Sequence, residues 1–186
     1  MEEDQNNFEQ VLSRILTKSP CSVVLSSGTN PDEFLDLFIS AYNETLTKAS
    51  LLPIRVKCAH FSDSISIWKE IAMKVKTAMP SVFEGNVITG KLFLGIERAT
   101  TTESIKSYLI RILEQIFKGS GWMMLLILED FENVVDKMEE HDLMKIRGMT
   151  TSFVIMTVSY MELKKLVDDK YEHAYFCNQF VTYKFV

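Results

Sequence analysis

The feature that most constrains this chain is an uninterrupted apolar run over residues 122–128, which two acids, Glu129 and Asp130, follow directly. This run is far shorter than the roughly 20 residues that a membrane-spanning helix needs. A short segment that is apolar on both faces is typical of a strand in the middle of a parallel sheet. The run therefore predicts a buried central strand with two carboxylates at its carboxyl end.

The rest of the chain alternates between strand-like and helix-like patterns. Apolar and β-branched stretches predict further strands at 21–25, 54–59, 153–158 and 174–186, and the alternation of apolar and charged residues at 54–59 is typical of a sheet edge. Helical spacing predicts helices at about 7–18, after Asn30, after Ser62 or Asp63, near 90–97 inside a loop, after a Thr100–Glu103 capping box, at 136–147 and at 161–168.

Strands that alternate with helices imply βαβ units and a mostly parallel sheet. We therefore expect a single domain over residues 1–186, built as a three-layer α/β/α sandwich around five strands, with the helix at 7–18 packed onto it. A chain of this length can bury a sizeable core.

Composition excludes several classes of protein. The net charge is −5, from 25 acids and 20 bases, so we do not expect direct nucleic-acid binding. Three widely spaced cysteines and three histidines predict neither a disulfide framework nor a metal site. The acidic first residues are unlike a secretory signal, and we expect a cytoplasmic protein that no membrane helix anchors.

Two strand ends carry the candidate chemistry, because ligands of open α/β sheets bind beyond the carboxyl ends of the strands. One is the polar loop after the first strand, which runs into a helix, and the other is Glu129–Asp130. A phosphate loop followed by a strand that ends in two acids is the layout of a nucleoside triphosphatase. The loop consists of Ser26, Ser27, Gly28, Thr29 and Asn30.

The sequence resembles the P-loop ATPases of the AAA+ and STAND type, especially bacterial and archaeal ATPases that are similar to origin-recognition proteins and transposition helpers. Residues 125–134 are similar to their Walker B strand, and residues 153–160 to their sensor-1 strand, where Thr157 and Ser159 match the polar positions. The resemblance implies P-loop NTPase topology with the strand order 5-1-4-3-2. It also implies a site for ATP and Mg²⁺.

The phosphate loop departs from that family. No lysine occurs between Lys18 and Lys48, and Asp32 and Glu33 occupy the first turn of the following helix, where they would repel a triphosphate. Pro31 removes an N–H donor. Each of these effects costs roughly 1 kcal/mol or more of phosphate binding, so we expect no tight ATP binding.

Two further departures concern the acids and the lid. The family's usual Asp–Glu pair is reversed here as Glu129–Asp130. We also expect that the family's helical lid is absent after the fifth predicted strand. The common explanation for two acids at a strand end is a solvated turn or a helix cap. Catalytic residues are therefore not assigned, and Glu129 and Asp130 remain Walker-B-like candidates.

Charge is concentrated in one segment. Residues 129–142 contain seven acids and one lysine, which predicts either a solvated helix face or an acidic surface for a partner protein. Our leading hypothesis is a degenerate, catalytically inactive AAA+/STAND-like domain that acts as a protein-binding or regulatory module and needs no cofactor. The alternatives are an ATP-binding protein or weak ATPase that uses ATP and Mg²⁺, and a subunit of a larger, DNA-associated ATP-dependent assembly.

Overall fold

The computed structural model describes residues 21–26, 36, 40, 51–80, 86–117, 123–138, 152–157, 165 and 180–184. Five strands and three α-helices lie in these ranges. The strands are β1 (Cys21–Ser26), β2 (Leu51–Lys57), β3 (Met123–Glu129), β4 (Ser152–Thr157) and β5 (Phe180–Lys184). The helices are α1 (Ser64–Ala78), α2 (Val87–Arg98) and α3 (Thr102–Phe117).

The strands form one sheet in the order β2-β3-β4-β1-β5. Every pair in it is parallel, so the carboxyl ends of all five strands lie along the same edge of the sheet. The predicted α/β class with a parallel sheet is confirmed. β2 pairs with β3 and forms one border of the described sheet.

Burial of β2 and β3 follows their sequence patterns. Met124, Leu125, Leu126, Ile127 and Leu128 of β3 are all buried. In β2, Leu52, Ile54 and Val56 are buried, whereas the residues between them are at least partly accessible. The strand begins three residues earlier than predicted and ends at Lys57, because the chain turns into a short 3-10 helix at Cys58–His60. Its proline, Pro53, is tolerated on a bordering strand.

Helix α1 begins where the sequence predicts, with Asp63 as its cap. The Asp63 side chain accepts a hydrogen bond of 2.8 Å from the Ser66 amide, and this bond lowers the pKa of Asp63 from its ordinary value. Ile67, Trp68, Ile71, Ala72 and Val75 are buried against the core.

Helix α2 corrects the sequence analysis, which predicted only a short helix near 90–97. The helix runs over twelve residues because Asn86 caps it: its side-chain oxygen accepts from the Ile88 amide at 3.1 Å and the Thr89 amide at 3.2 Å. Two internal glycines, Gly90 and Gly95, weaken the helical pattern in the sequence and obscured it.

Helix α3 exists as predicted, but its capping box is displaced by one residue. Thr101, not Thr100, accepts a hydrogen bond from the Ser104 amide at 3.3 Å. Glu103 instead binds Lys106 at 2.9 Å. Lys106 is buried, and its ammonium group lies 5.7 Å from the centre of the Trp68 ring.

The predicted helix at 136–147 does not begin where expected. β3 is followed by a 3-10 helix, Phe131–Asn133, and by a turn at residues 134–137, while residues 139–147 lie outside the described residues. The predicted helix at 7–18 also lies outside them. Of the helices predicted after Asn30 and at 161–168, only Asp36, Ser40 and Lys165 are described, and each is helical. Within the described ranges, no helix combines the length and apolarity that a membrane crossing requires.

Candidate functional site at the carboxyl end of the sheet

The sheet brings the two predicted strand ends to one edge. Ser26, the last residue of β1, is level with Thr157, the last residue of β4. Leu128 of β3, which directly precedes Glu129, is level with Ile155 of β4, two positions before Thr157. The phosphate-loop residues Ser27, Gly28, Thr29 and Asn30 and the sensor-like Ser159 lie outside the described residues, and their roles stay predictions.

Glu129 is held by an arginine of the neighbouring strand. Arg55 Nε of β2 donates to Glu129 Oε1 at 2.6 Å, across 74 positions of sequence. The two side chains are 38% and 20% exposed, so the pair is only partly screened by water. A charge-assisted bond of this length engages one of the two carboxylate oxygens of Glu129.

Asp130 ends the strand through its backbone conformation. Its φ of 52° and ψ of 44° place it in the left-handed region, where aspartate is one of the more tolerated residues. Its carbonyl oxygen accepts from both the amide and the side-chain nitrogen of Asn133, at 3.1 and 3.0 Å. Asp130 thus directs the chain from β3 into the 3-10 helix, which gives it a structural role.

The residues that follow are acidic in sequence but anchored in the core. Phe131, Val134, Val135 and Met138 are buried, so the described part of the acidic segment is not a freely solvated helix face. Lys137 fastens it further, because its ammonium group donates to the carbonyl oxygens of Phe61 at 2.9 Å and Asn133 at 2.7 Å. This bridge joins the turn after β3 to the segment that follows β2.

A buried thiol lies beside these acids. Burial, together with the negative charges of Asp130, Glu129 and Glu132, raises the pKa of Cys58 from 9.0 to about 12, and burial is the largest cause. The thiol is therefore held protonated at neutral pH. This makes Cys58 a poor nucleophile and a poor metal ligand, since both roles need the thiolate.

The chemistry available at this edge is limited. A divalent cation such as Mg²⁺ binds to several oxygen ligands, usually including substrate phosphates. In the described part of the chain, no group of three or more His, Cys, Asp or Glu residues is placed to hold a metal ion. Glu129 and Asp130 are adjacent, but one carboxylate is bound to Arg55 and the other residue shapes a turn.

Sequence reasoning found the acids and missed what binds them. Arg55 lies 74 positions from Glu129 in the sequence, and no motif marks it. The alternation at 54–57 carried one signal, because it placed Arg55 and Lys57 on the opposite side of β2 from Ile54 and Val56. Only the pairing of β2 with β3 brings Arg55 to Glu129.

No protein-family model matches this chain, and neither does any curated protein sequence. Solved structures do match. The fold is similar to an Aeropyrum pernix ORC2 protein in its ADP form, with a TM-score of 0.65 and 13% identity, over 98% of this chain and 46% of that one. It is also similar to chains in the Drosophila ORC bound to poly(dA/dT) DNA and Cdc6, with a TM-score of 0.58 and 10% identity, over 97% of this chain and 28% of that one.

A second Drosophila structure, ORC bound to AT-rich DNA and Cdc6, matches with a TM-score of 0.52 and 10% identity, over 97% of this chain and 28% of that one. The chain therefore has an AAA+-like fold and spans less than half the length of these solved chains. Identities this low show the fold alone. Two of the three structures contain DNA, so these neighbours give no support to the expectation that direct nucleic-acid binding is absent.

Proposed function

We propose that this chain is a degenerate AAA+-like domain that does not hydrolyse ATP and acts as a protein-binding or regulatory module in a DNA-associated assembly. The fold supports the first part. Read from β5, the pairing order is 5-1-4-3-2, the order that P-loop ATPase topology requires. The domain would thus keep the sheet of an ATPase as a scaffold and use its surfaces for binding.

The observation that carries the proposal is the ion pair between Arg55 and Glu129. A Walker B acid works through its free carboxylate, which faces a metal ion or the attacking water. Here Glu129 is bound at 2.6 Å by a guanidinium group that is always charged. Releasing Glu129 for catalysis would therefore cost an interaction that helps to join β2 to β3.

The sequence of the phosphate loop supports the same conclusion. Residues 26–30 contain one glycine and no lysine, and the acids Asp32 and Glu33 follow. A working loop uses a lysine on the β- and γ-phosphates and backbone N–H groups around them. We infer that ATP and Mg²⁺ are not cofactors of this domain.

The proposed assembly rests on the structural neighbours. The two Drosophila structures contain an ORC together with Cdc6 and DNA, and this chain is similar in fold to a chain in each of them over nearly its whole length. A domain that has lost hydrolysis can still contribute a surface to such an assembly. The sequence predicts a partner contact through residues 129–142, but the apolar side chains in the described part of that segment are buried.

The test is calorimetric titration with ATP and Mg²⁺, together with a hydrolysis assay. We expect no binding tighter than the millimolar range and no turnover above background. Glu129→Gln and Asp130→Asn should leave that background unchanged, as should the control Glu70→Gln, which neutralises a carboxylate on α1 that pairs with Lys74.

Micromolar ATP affinity, or turnover that disappears in Glu129→Gln or Asp130→Asn but persists in Glu70→Gln, would overturn the proposal. The chain would then be the weak ATPase of the alternative hypothesis. Arg55→Gln adds a further check, because it frees the Glu129 carboxylate without restoring a lysine. We expect it to remain inactive as well.

A further inference from the structure

Helix α2 exposes an unusual amount of apolar surface. Among the described residues, three of the four large apolar side chains that are substantially exposed lie on this one helix: Val87 at 68%, Ile88 at 61% and Leu94 at 49%. Val87 and Leu94 are seven residues apart and so lie on one face, with Ile88 beside them. Contiguous exposed apolar residues of this kind mark interaction sites more often than isolated ones do.

Two cations share that face. Lys91 lies one helical turn from both Val87 and Leu94, and Arg98 lies one turn beyond Leu94. Both are exposed, and neither makes an ion pair or hydrogen bond with any part of the chain that the structure describes. The acid of this helix, Glu97, lies on the side towards α1, where it pairs with Lys76 at 3.9 Å.

The cations border a groove between α2 and α3 with a volume of about 450 Å³. We call it the α2–α3 groove; it is lined by Lys91, Leu94, Gly95, Arg98, Ala99, Thr100, Ser104 and Tyr108. Gly95 forms its floor, because a Cβ at this position would lie 2.7 Å from Cζ of Tyr108. The glycine therefore lets the Tyr108 ring approach the α2 backbone closely, although glycine weakens a helix.

We propose that the α2–α3 groove docks an acidic segment of another protein, one that carries apolar side chains between its carboxylates. The apolar side chains would cover Leu94 and Val87, and the carboxylates would neutralise Lys91 and Arg98. Such amphipathic segments commonly bind in grooves between helices.

This proposal rests on the protein-binding part of the proposed function and not on the loss of ATP hydrolysis. It also assigns the contact to a surface different from the acidic segment. A small anion alone would leave the exposed apolar residues of α2 uncovered. An acidic segment that also carries apolar side chains would both cover the exposed apolar residues of α2 and neutralise Lys91 and Arg98.

The probe is a fluorescent synthetic peptide with the sequence of residues 129–142 of this chain. It contains seven acids together with Phe131, Val134, Val135 and Met138, which is the chemistry that the groove requires. Fluorescence anisotropy at about 0.15 M salt should show saturable binding to the native chain. The same peptide with every Asp and Glu replaced by Asn and Gln should not bind.

The variants separate the groove from general attraction. Lys91→Glu with Arg98→Glu should weaken binding at least tenfold, and Leu94→Ala should weaken it severalfold without a change in charge. The matched control, Lys57→Glu with Lys74→Glu, changes the net charge equally on exposed positions of β2 and α1. It should bind the peptide within about twofold of the native chain, once the ionic strength screens long-range attraction.

Hydrogen exchange localises the contact: addition of the peptide should protect residues 87–111 and leave 123–138 unchanged. Equal losses in the two double variants, or protection elsewhere, would overturn the proposal. So would displacement of the peptide by duplex DNA or anionic vesicles at lower concentration, or self-association that the Lys91/Arg98 variant abolishes. None of these outcomes bears on ATP turnover, so the proposed inactivity stands or falls separately.

Discussion

The acidic turn after β3 and the exposed face of α2 differ in two ways. The turn is negatively charged and the face is positively charged, and only the turn has a charged side chain paired across strands. At the turn, Glu129 is bound by Arg55, and Lys137 donates to two backbone carbonyls. On α2, Lys91 and Arg98 point to solvent beside exposed apolar side chains. Of the two acids that the sequence marks as a site, Glu129 is therefore engaged within the fold, whereas the cations that no motif marks remain accessible.

This difference shows that a cluster of charges in the sequence indicates a binding surface only when the fold leaves those charges exposed and unpaired. Seven acids in fourteen residues suggest a docking surface, yet the apolar residues between them are core residues. Two cations in an eight-residue stretch attract no attention, yet they border a groove. Burial and pairing decide which of the two surfaces has charge left for a partner.

The largest expected effect is a difference in the free energy of unfolding when an apolar side chain is truncated in each of the two regions. Phe131 is fully buried, so Phe131→Ala should lower the free energy of unfolding by about 3–5 kcal/mol. Leu94→Ala removes a half-exposed side chain and should change it by no more than about 0.5 kcal/mol. Urea unfolding followed by circular dichroism measures both. Similar losses of stability for the two variants would mean that Leu94 is packed into the core. The exposed face of α2 would then not differ from the turn after β3 in this respect.

The second expected effect is a dependence on pH at the acidic turn. Because the pKa of Cys58 is raised from 9.0 to about 12, the folded chain keeps the thiol protonated while the unfolded chain loses the proton above pH 9. Stability from this group is thus fully present below pH 9. It should be lost at about 1.4 kcal/mol per pH unit as the pH rises towards 12.

The measurement for Cys58 is the urea midpoint from pH 8 to pH 10.5, compared with Cys58→Ala. Lysine and tyrosine titrations affect both proteins, so the difference between the two curves isolates the thiol. We expect the native curve to fall more steeply than that of the variant. Parallel curves would show that Cys58 is not held protonated by its buried position beside the acids.

The third prediction concerns how much the cap at Asn86 stabilises helix α2. Asn86→Ala removes the side chain that accepts from the Ile88 and Thr89 amides, and should cost about 1 kcal/mol of stability. Thr77→Ala, an exposed position near the end of α1, serves as the control and should change stability by less than about 0.5 kcal/mol. If Asn86→Ala is equally neutral, α2 does not depend on its cap.

The sequence predicted the parallel α/β class because strand and helix periodicities are local properties. The 122–128 run and the cap at Asp63 were both recognisable without any tertiary information. The start of α2 could not be recognised in this way, because Gly90 and Gly95 weaken the helical pattern. The reason for Gly95 is a tertiary contact: it makes room for the ring of Tyr108, thirteen positions later in the sequence.

The candidate site was predictable only in part, for a related reason. Glu129 and Asp130 stand directly after a buried strand, so their place at the carboxyl edge follows from the sequence. The residues near these acids cannot be read from the sequence. Arg55, which binds Glu129, lies on β2, and Cys58, whose thiol lies close to the acids, is in the 3-10 helix after it. The sequence thus locates a possible site but cannot say whether its charges are already neutralised.

The smallest expected effect tests that neutralisation directly, through a double-mutant cycle on Arg55→Ala and Glu129→Ala. The cycle measures the coupling free energy of the pair, apart from the other contacts that each side chain loses. For a partly buried bond of 2.6 Å, we expect a coupling of roughly 0.5–1 kcal/mol that weakens little with added salt.

The matched control is the Glu70–Lys74 pair on α1, which is 3.8 Å apart and more exposed, and should give about 0.3–0.5 kcal/mol or less. Salt should screen this pair more strongly. If Arg55 and Glu129 couple no more than the control, then Glu129 is not engaged, and its carboxylate is as available for a metal ion as the α2 cations are for a partner. A larger coupling that persists in salt would instead mean that the turn after β3 keeps its acids for the fold.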